Sequence, residues 1–185
     1  MIEDTLKSAE HRMQSAVAAL DREMNTVRTG RARPALVEGL KVDYYGTPTP
    51  LNQMAAINAP EPRMITITPW DKGQLGTIEK AILKSDLGLM PTNDGNIIRL
   101  AIPALTEDRR KELVKVVHKK TEDGRVAVRN VRRDSLEELR KLQHDKQISD
   151  DDERRAQERL QKLTDKYIAE IEKHGHAKEQ ELLEV

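Results

Sequence analysis

Apolar residues recur in steps of three and four from residue 2 to residue 28: Leu6, Ala9, Met13, Ala16 with Val17, Leu20, Met24 and Val27. That spacing predicts an amphipathic helix with one buried stripe. At 1.5 Å per residue it forms a rod of roughly 40 Å, longer than a small globular core requires. Gly30 and Pro34 end it, because neither residue type sustains a helix interior. The same period returns after Pro103. Leu113, Val116, Val117, Val128, Val131, Leu139 and Leu142 carry a stripe to about residue 145, and Thr106, Glu107 and Asp108 suit its first turn. Gly124 interrupts this stripe. One interior glycine costs about 1 kcal/mol relative to alanine, so the expectation is one continuous helix with a weak point there. Ser149, ahead of Asp150, Asp151 and Asp152, reads as the start of a final helix in which Leu160, Leu163, Tyr167, Ile168 and Ile171 lead toward Leu182 and Leu183. Three such helices bury one another's stripes as a bundle.

Between them the pattern changes. All eight prolines lie between residues 31 and 104, and the three-four spacing disappears. Leu40, Val42 and Tyr44 alternate with Lys41, Asp43 and Tyr45, which predicts a half-buried strand closed by Gly46 and a turn over Pro48-Thr49-Pro50. Residues 64–68 and 96–102 predict two further strands, the latter after an Asp94-Gly95 turn, and Leu75, Ile78, Ala81 and Ile82 a short helix ending near Gly88. The predicted class is therefore α+β: a long three-helix bundle (residues 1–30 and 105–185) carrying a small inserted α/β sandwich domain (residues 31–104). The two are expected to form an L shape. The chain crosses between them twice, near residues 29–33 and 102–106. Thr29, Gly30, Arg31, Pro103, Ala104 and Leu105 are the candidate hinge.

Charge adds a functional pointer that the total conceals. Lys plus Arg and Asp plus Glu both number 32, yet residues 109–133 hold ten Lys/Arg against three Asp/Glu, a local charge of +7. Residues 134–185 reverse the balance, with fifteen acidic against ten basic. Within the basic segment, Arg125-Val-Ala-Val-Arg129-Asn-Val-Arg132-Arg133 places four guanidinium groups in nine residues. At about 100° per residue, Arg125, Arg129 and Arg132 fall within roughly 60° of one another, with Arg110 near the same stripe and Val131 further round the helix. Forked donors beside an apolar stripe suit a helix that packs on its own protein while offering itself to phosphate. No carboxylate interrupts residues 125–133, so the stripe reads as uncompensated.

Other chemistry finds little support. The chain has no cysteine, which excludes disulfides and thiol nucleophiles and is compatible with a reducing compartment. His11, His118, His144, His174 and His176 are spread over three helices, and only the last two are close in sequence; no metal site is expected. Gly73 and Gly76 do not have phosphate-loop spacing. Neither an enzyme nor a cofactor is expected. Trp70, Tyr44 and Tyr45 are candidates for base stacking, but with aromatics at 2% they are expected mainly in the core. No apolar run approaches the roughly 20 residues that span a bilayer, so no membrane is involved and the expected location is the cytoplasm.

The blocks Arg28-Thr-Gly-Arg31-Ala with Pro34, Tyr44-Tyr-Gly-Thr-Pro-Thr-Pro-Leu51, Asp86-Leu-Gly-Leu89 with Pro91, Leu105-Thr-Glu with Arg109-Arg110-Lys111, and residues 125–133 stand in this order along the chain. Together they resemble the bacterial ribosome recycling factor family over nearly the whole length. Met90, Ala104 and Arg33 depart from its usual residues. The resemblance implies a translation factor without catalytic residues that acts as a monomer. It would bind the 70S ribosome after termination through large-subunit rRNA and, with elongation factor G and GTP, split the subunits and release them from mRNA. Residue by residue, it implies that Arg110, Arg129 and Arg132 face rRNA with Arg125 and Arg133 beside them, while Arg28 and Arg31 flank the first linker. The competing expectation is a helical adaptor that binds a protein through its rod, its arginines serving internal ion pairs.

Overall fold

In the computed structural model, which describes residues 1–184, the three stripes become three long helices: α1 (Ile2–Asn25), α4 (Glu107–His144) and α5 (Asp150–Leu183). Each buries the face its spacing specifies. Leu6, Ala9, Met13, Val17, Leu20 and Met24 of α1 pack with Leu113, Val117, Val128, Val131 and Leu139 of α4 and Ala156, Leu160, Tyr167, Ile171 and Leu182 of α5. Local chemistry sets the ends. α1 stops where Thr26 returns its N–H and its hydroxyl to the Glu23 carbonyl. α4 closes with Lys146 at φ +58, its N–H on the Gln143 carbonyl and the Gln147 N–H on the Leu142 carbonyl. This bonding pattern usually places glycine at the left-handed position. Ser149 caps α5 by accepting from the Asp152 N–H at 3.0 Å.

α4 runs through Gly124 without a break, as the one continuous helix expected from the sequence. The glycine faces inward, and a Cβ there would lie 3.0 Å from Ile171 Cδ1 of α5. The propensity cost is exchanged for close packing of the Ile171 and Leu20 side chains against the α4 backbone.

The chain forms two compact units, one of Met1–Arg28 with the residues from Glu107 onward, the other of Thr29–Thr106. The second contains α2 (Ala35–Glu38), β1 (Lys41–Tyr44), β2 (Thr47–Pro50), β3 (Ala55–Glu61), β4 (Met64–Pro69), α3 (Leu75–Lys84), β5 (Pro91–Asn93) and β6 (Ile98–Ala101). β1 and β2 make an antiparallel ribbon, with Tyr45 at φ +48 and Gly46 at φ +84 as its two-residue turn, the primed geometry that matches strand twist. The remaining strands form an antiparallel sheet in the order β3-β4-β6-β5. Its inner face, Ile65, Ile67, Ile98 and Leu100, packs with Val37, Val42, Leu51, Ile78 and Ile82 in a separate apolar core.

Three strands escape the alternation pattern: β2, read from sequence as a proline turn, together with β3 and β5. All are edges carrying proline, where a missing N–H disrupts no ladder. Pro48 and Pro50 lie in the ribbon, Pro60 in the irregular register between Asn58 and Glu61, and Pro91 opens β5.

Candidate nucleic-acid interface

The arginines lie along α4, and α5 packs on the side to which Arg125 and Arg132 point. Buried residues recur along α4 at Leu113, Val117, Thr121, Gly124, Val128, Val131, Ser135 and Leu139. Arg125 and Arg132 flank this stripe and are half-buried, as is Arg110 near the start of the helix. Arg129 and Arg133 lie further out, at 54% and 67% side-chain exposure. Arg125 and Arg132 thus lie along the seam with α5, Arg129 next to them and Arg133 further round the helix.

The expectation that the stripe is uncompensated fails. Arg125 Nη1 donates to Glu122 Oε2 at 2.8 Å, one turn earlier on α4, and Arg125 Nε donates to Glu172 Oε1 of α5 at 3.2 Å. Glu122 above all, and Glu172 after it, raise the Arg125 pKa above its ordinary value despite partial burial. Arg129 also reaches Glu122, at 3.4 Å, and Arg133 lies 3.8 Å from Asp134. Arg132 Nη1 donates to Gln161 Oε1 at 2.7 Å, and Gln161 Nε2 donates to Asp165 Oδ1 at 2.8 Å. Glu172, Gln161 and Asp165 lie more than 25 residues from their α4 partners in sequence, and only the packing of α5 brings them near.

A residue that the charge pattern missed belongs to the same seam. His118 Nε2 lies 3.0 Å from Glu179 Oε2 of α5. With Thr121, Arg125, Glu172, Gly175 and His176, this pair lines a surface groove of about 660 Å³. The available signal was spacing, since His118, Arg125 and Arg132 are seven residues apart, the repeat that returns side chains to one helix face. His118 and His176, on different helices, share this groove, whereas His174 Nδ1 lies 3.5 Å from Asp21. Among the described residues, no group of three or more His, Asp or Glu is arranged to hold a metal ion.

The aromatics depart from expectation. Tyr44 packs against the second core, but Tyr45 is 75% exposed and Trp70 68% exposed. Tyr45 donates to Asp71 Oδ2 at 3.1 Å and stands edge-on to Tyr44 at 4.6 Å between ring centroids. The second unit fills its core with isoleucine, leucine and valine, so burying these two rings is unnecessary.

The candidate hinge residues all fall in the second unit. Gly30 has φ +74, and a Cβ there would lie 3.2 Å from Leu105 Cγ and 3.6 Å from the Pro103 carbonyl oxygen, so the two linker strands touch. Both are tied to one turn: the Ala32 N–H donates to the Pro62 carbonyl at 2.7 Å and the Ile102 N–H to the Arg63 carbonyl at 2.8 Å. No helix among the described residues is long and apolar enough to cross a membrane.

Comparison with known proteins agrees across both units. The family model described as ribosome recycling factor matches residues 20–183. The ribosome-recycling factor of Carboxydothermus hydrogenoformans is 57% identical over 185 residues, covering 100% of both chains. That of Oleidesulfovibrio alaskensis is 57% identical over 180 residues, covering 97% of this chain and 98% of its own. A solution structure of the ribosome recycling factor superposes with a TM-score of 0.80 at 49% identity, covering 100% of this chain and 98% of the other. A second similar structure belongs to models of the Thermus thermophilus factor and Escherichia coli elongation factor G bound to the post-termination complex. It has a TM-score of 0.68 at 44% identity, with 99% of each chain covered.

Proposed function

This chain belongs to the ribosome recycling factor family, and on that footing we propose that it binds ribosomes after termination and, with elongation factor G and GTP, separates their subunits. The observation that carries the reading is the full-length match: 57% identity over 185 residues includes the arginine helix, the inserted unit and both crossings between them.

Within this reading, Arg110, Arg125, Arg129, Arg132 and Arg133 meet phosphates of large-subunit rRNA. Guanidinium forks match phosphate oxygens in geometry and charge, and their spacing along α4 supplies a row of them. The factor contributes binding and movement. GTP hydrolysis belongs to the translocase, and no residue here is assigned a catalytic role. The pivot lies at the two crossings near Thr29–Arg31 and Pro103–Leu105. The shared anchoring of Ala32 and Ile102 to residues 62–63 supports the two crossings moving together.

The test is subunit splitting of post-termination ribosomes, with this protein, elongation factor G and GTP added singly and together. Splitting that requires all three is expected; none with all three present overturns the reading. Binding to large subunits across a salt series separates it from a protein-binding adaptor. Several phosphate contacts give roughly one unit of log–log slope each, whereas an apolar helix interface gives a flat response.

A further inference from the structure

The cations of the α4 flank do not face solvent alone. His118, Arg125 and Arg132 are seven residues apart on α4; Glu179, Glu172 and Asp165 are seven apart on α5, which runs the opposite way. The first two rungs are direct, His118 to Glu179 at 3.0 Å and Arg125 to Glu172 at 3.2 Å. The third is relayed, Arg132 to Gln161 at 2.7 Å and Gln161 to Asp165 at 2.8 Å. Antiparallel helices packed at a shallow angle keep heptad positions in step, so one seam holds a three-rung ladder with His118, Arg125 and Arg132 on one helix and acids on the other.

Folding stability is a weak reason for such a ladder. Glu172 and Glu122 have side chains 54% and 52% exposed, and solvent-exposed ion pairs contribute little to stability. The pairs do affect what the arginines can bind. Arg125 commits Nε to Glu172 and Nη1 to Glu122. A phosphate bound through two parallel N–H groups on the Nε–Nη2 edge of this guanidinium has to displace Glu172, and one approaching Nη1 competes with Glu122.

We propose that Glu172 and Glu122 are positioning residues that hold Arg125 toward the seam and compete with RNA backbone phosphates for its guanidinium, making the contact exchangeable. The inference rests on the rRNA-binding reading above and deepens it: binding to RNA replaces internal acid contacts by phosphate contacts, so affinity is lower and release faster than the arginine count alone would give.

The experiment uses the full chain with Glu172→Gln and Glu122→Gln, singly and together, changes that keep side-chain length while removing charge. Glu38→Gln, at an exposed carboxylate of α2, removes the same net charge outside the arginine helix. Binding to purified large subunits, dissociation rate and Tm are measured across a salt series. Each ladder variant is expected to bind roughly fivefold tighter, the effect of one unit charge at about 4 Å in water. Dissociation slows, and the salt slope steepens by up to about one unit. Tm stays unchanged. Unchanged or weaker binding by folded ladder variants, or equal tightening by Glu38→Gln, overturns the inference alone. Absent or salt-insensitive binding by the unsubstituted chain overturns the rRNA reading, and the inference with it.

Discussion

Gly175 of α5 sits so close to Thr121 of α4 that a Cβ at position 175 would lie 2.8 Å from Thr121 Cγ2. Thr121 is buried and donates its hydroxyl to the Val117 carbonyl at 2.8 Å, so it cannot turn aside without leaving that oxygen one partner short. Gly175→Val is expected to destabilise the protein by about 2 kcal/mol through overpacking, lowering Tm by several degrees. Adding Thr121→Ala should recover part of the loss. Thermal denaturation of the two single variants and the double variant checks both the cost and the coupling.

Arg132 contributes one hydrogen bond to folding, to Gln161, and an exposed polar contact of this kind is worth little. Arg132→Ala should leave Tm within about a degree. Large-subunit binding should weaken at every salt concentration, with a slope shallower by about one unit. Calorimetry and a salt series of binding measurements test both parts; a large fall in Tm would instead mark the arginine as structural.

Acid should act on the β5–β6 turn. Asp94 accepts from the Ile97 N–H at 2.9 Å and the Asn96 N–H at 3.0 Å, and Arg99 donates to its second oxygen at 2.9 Å. These contacts, the Ile97 N–H foremost, lower its pKa from 3.8 to about 2. A carboxyl depressed in the folded state stabilises fully above its unfolded pKa and loses that contribution as pH falls through the folded value. The window therefore runs from about pH 4 down to about pH 2. Asp94→Asn should lower stability near neutrality and remove the part of the acid dependence that falls in this window, as read by denaturant midpoints measured at each pH.

Gly30 combines φ +74 with a Cβ position 3.2 Å from Leu105 Cγ. Gly30→Ala should cost about 1–2 kcal/mol from the left-handed backbone alone, and the methyl also pushes the two linker strands apart. A lower Tm is expected, together with slower subunit splitting at temperatures where the variant stays folded. Splitting at the unsubstituted rate would count against a role for the crossings in the movement.

Much of the architecture was legible because its cause is local. Apolar steps of three and four specify α1, α4 and α5, Ser149 marks the start of α5, and proline confined to residues 31–104 marks the inserted unit. The strands β4 and β6 alternate visibly because they lie centrally in the sheet and bury one face. β2, β3 and β5 were hidden because edge strands tolerate proline and satisfy only one ladder, which leaves little imprint on residue choice.

The candidate interface divides in the same way. Sequence alone determined that Arg125, Arg129 and Arg132 share one flank of α4, since helical geometry depends only on their spacing. It could not show that Glu172, Gln161 and Asp165 stand opposite them, that His118 joins the row, or that Gly124 and Gly175 let the two helices close the seam. Those relations depend on the antiparallel register of α4 and α5, which is set by the packing of buried side chains across the interface. A charge pattern along one helix carries no information about which charges a second helix brings beside it.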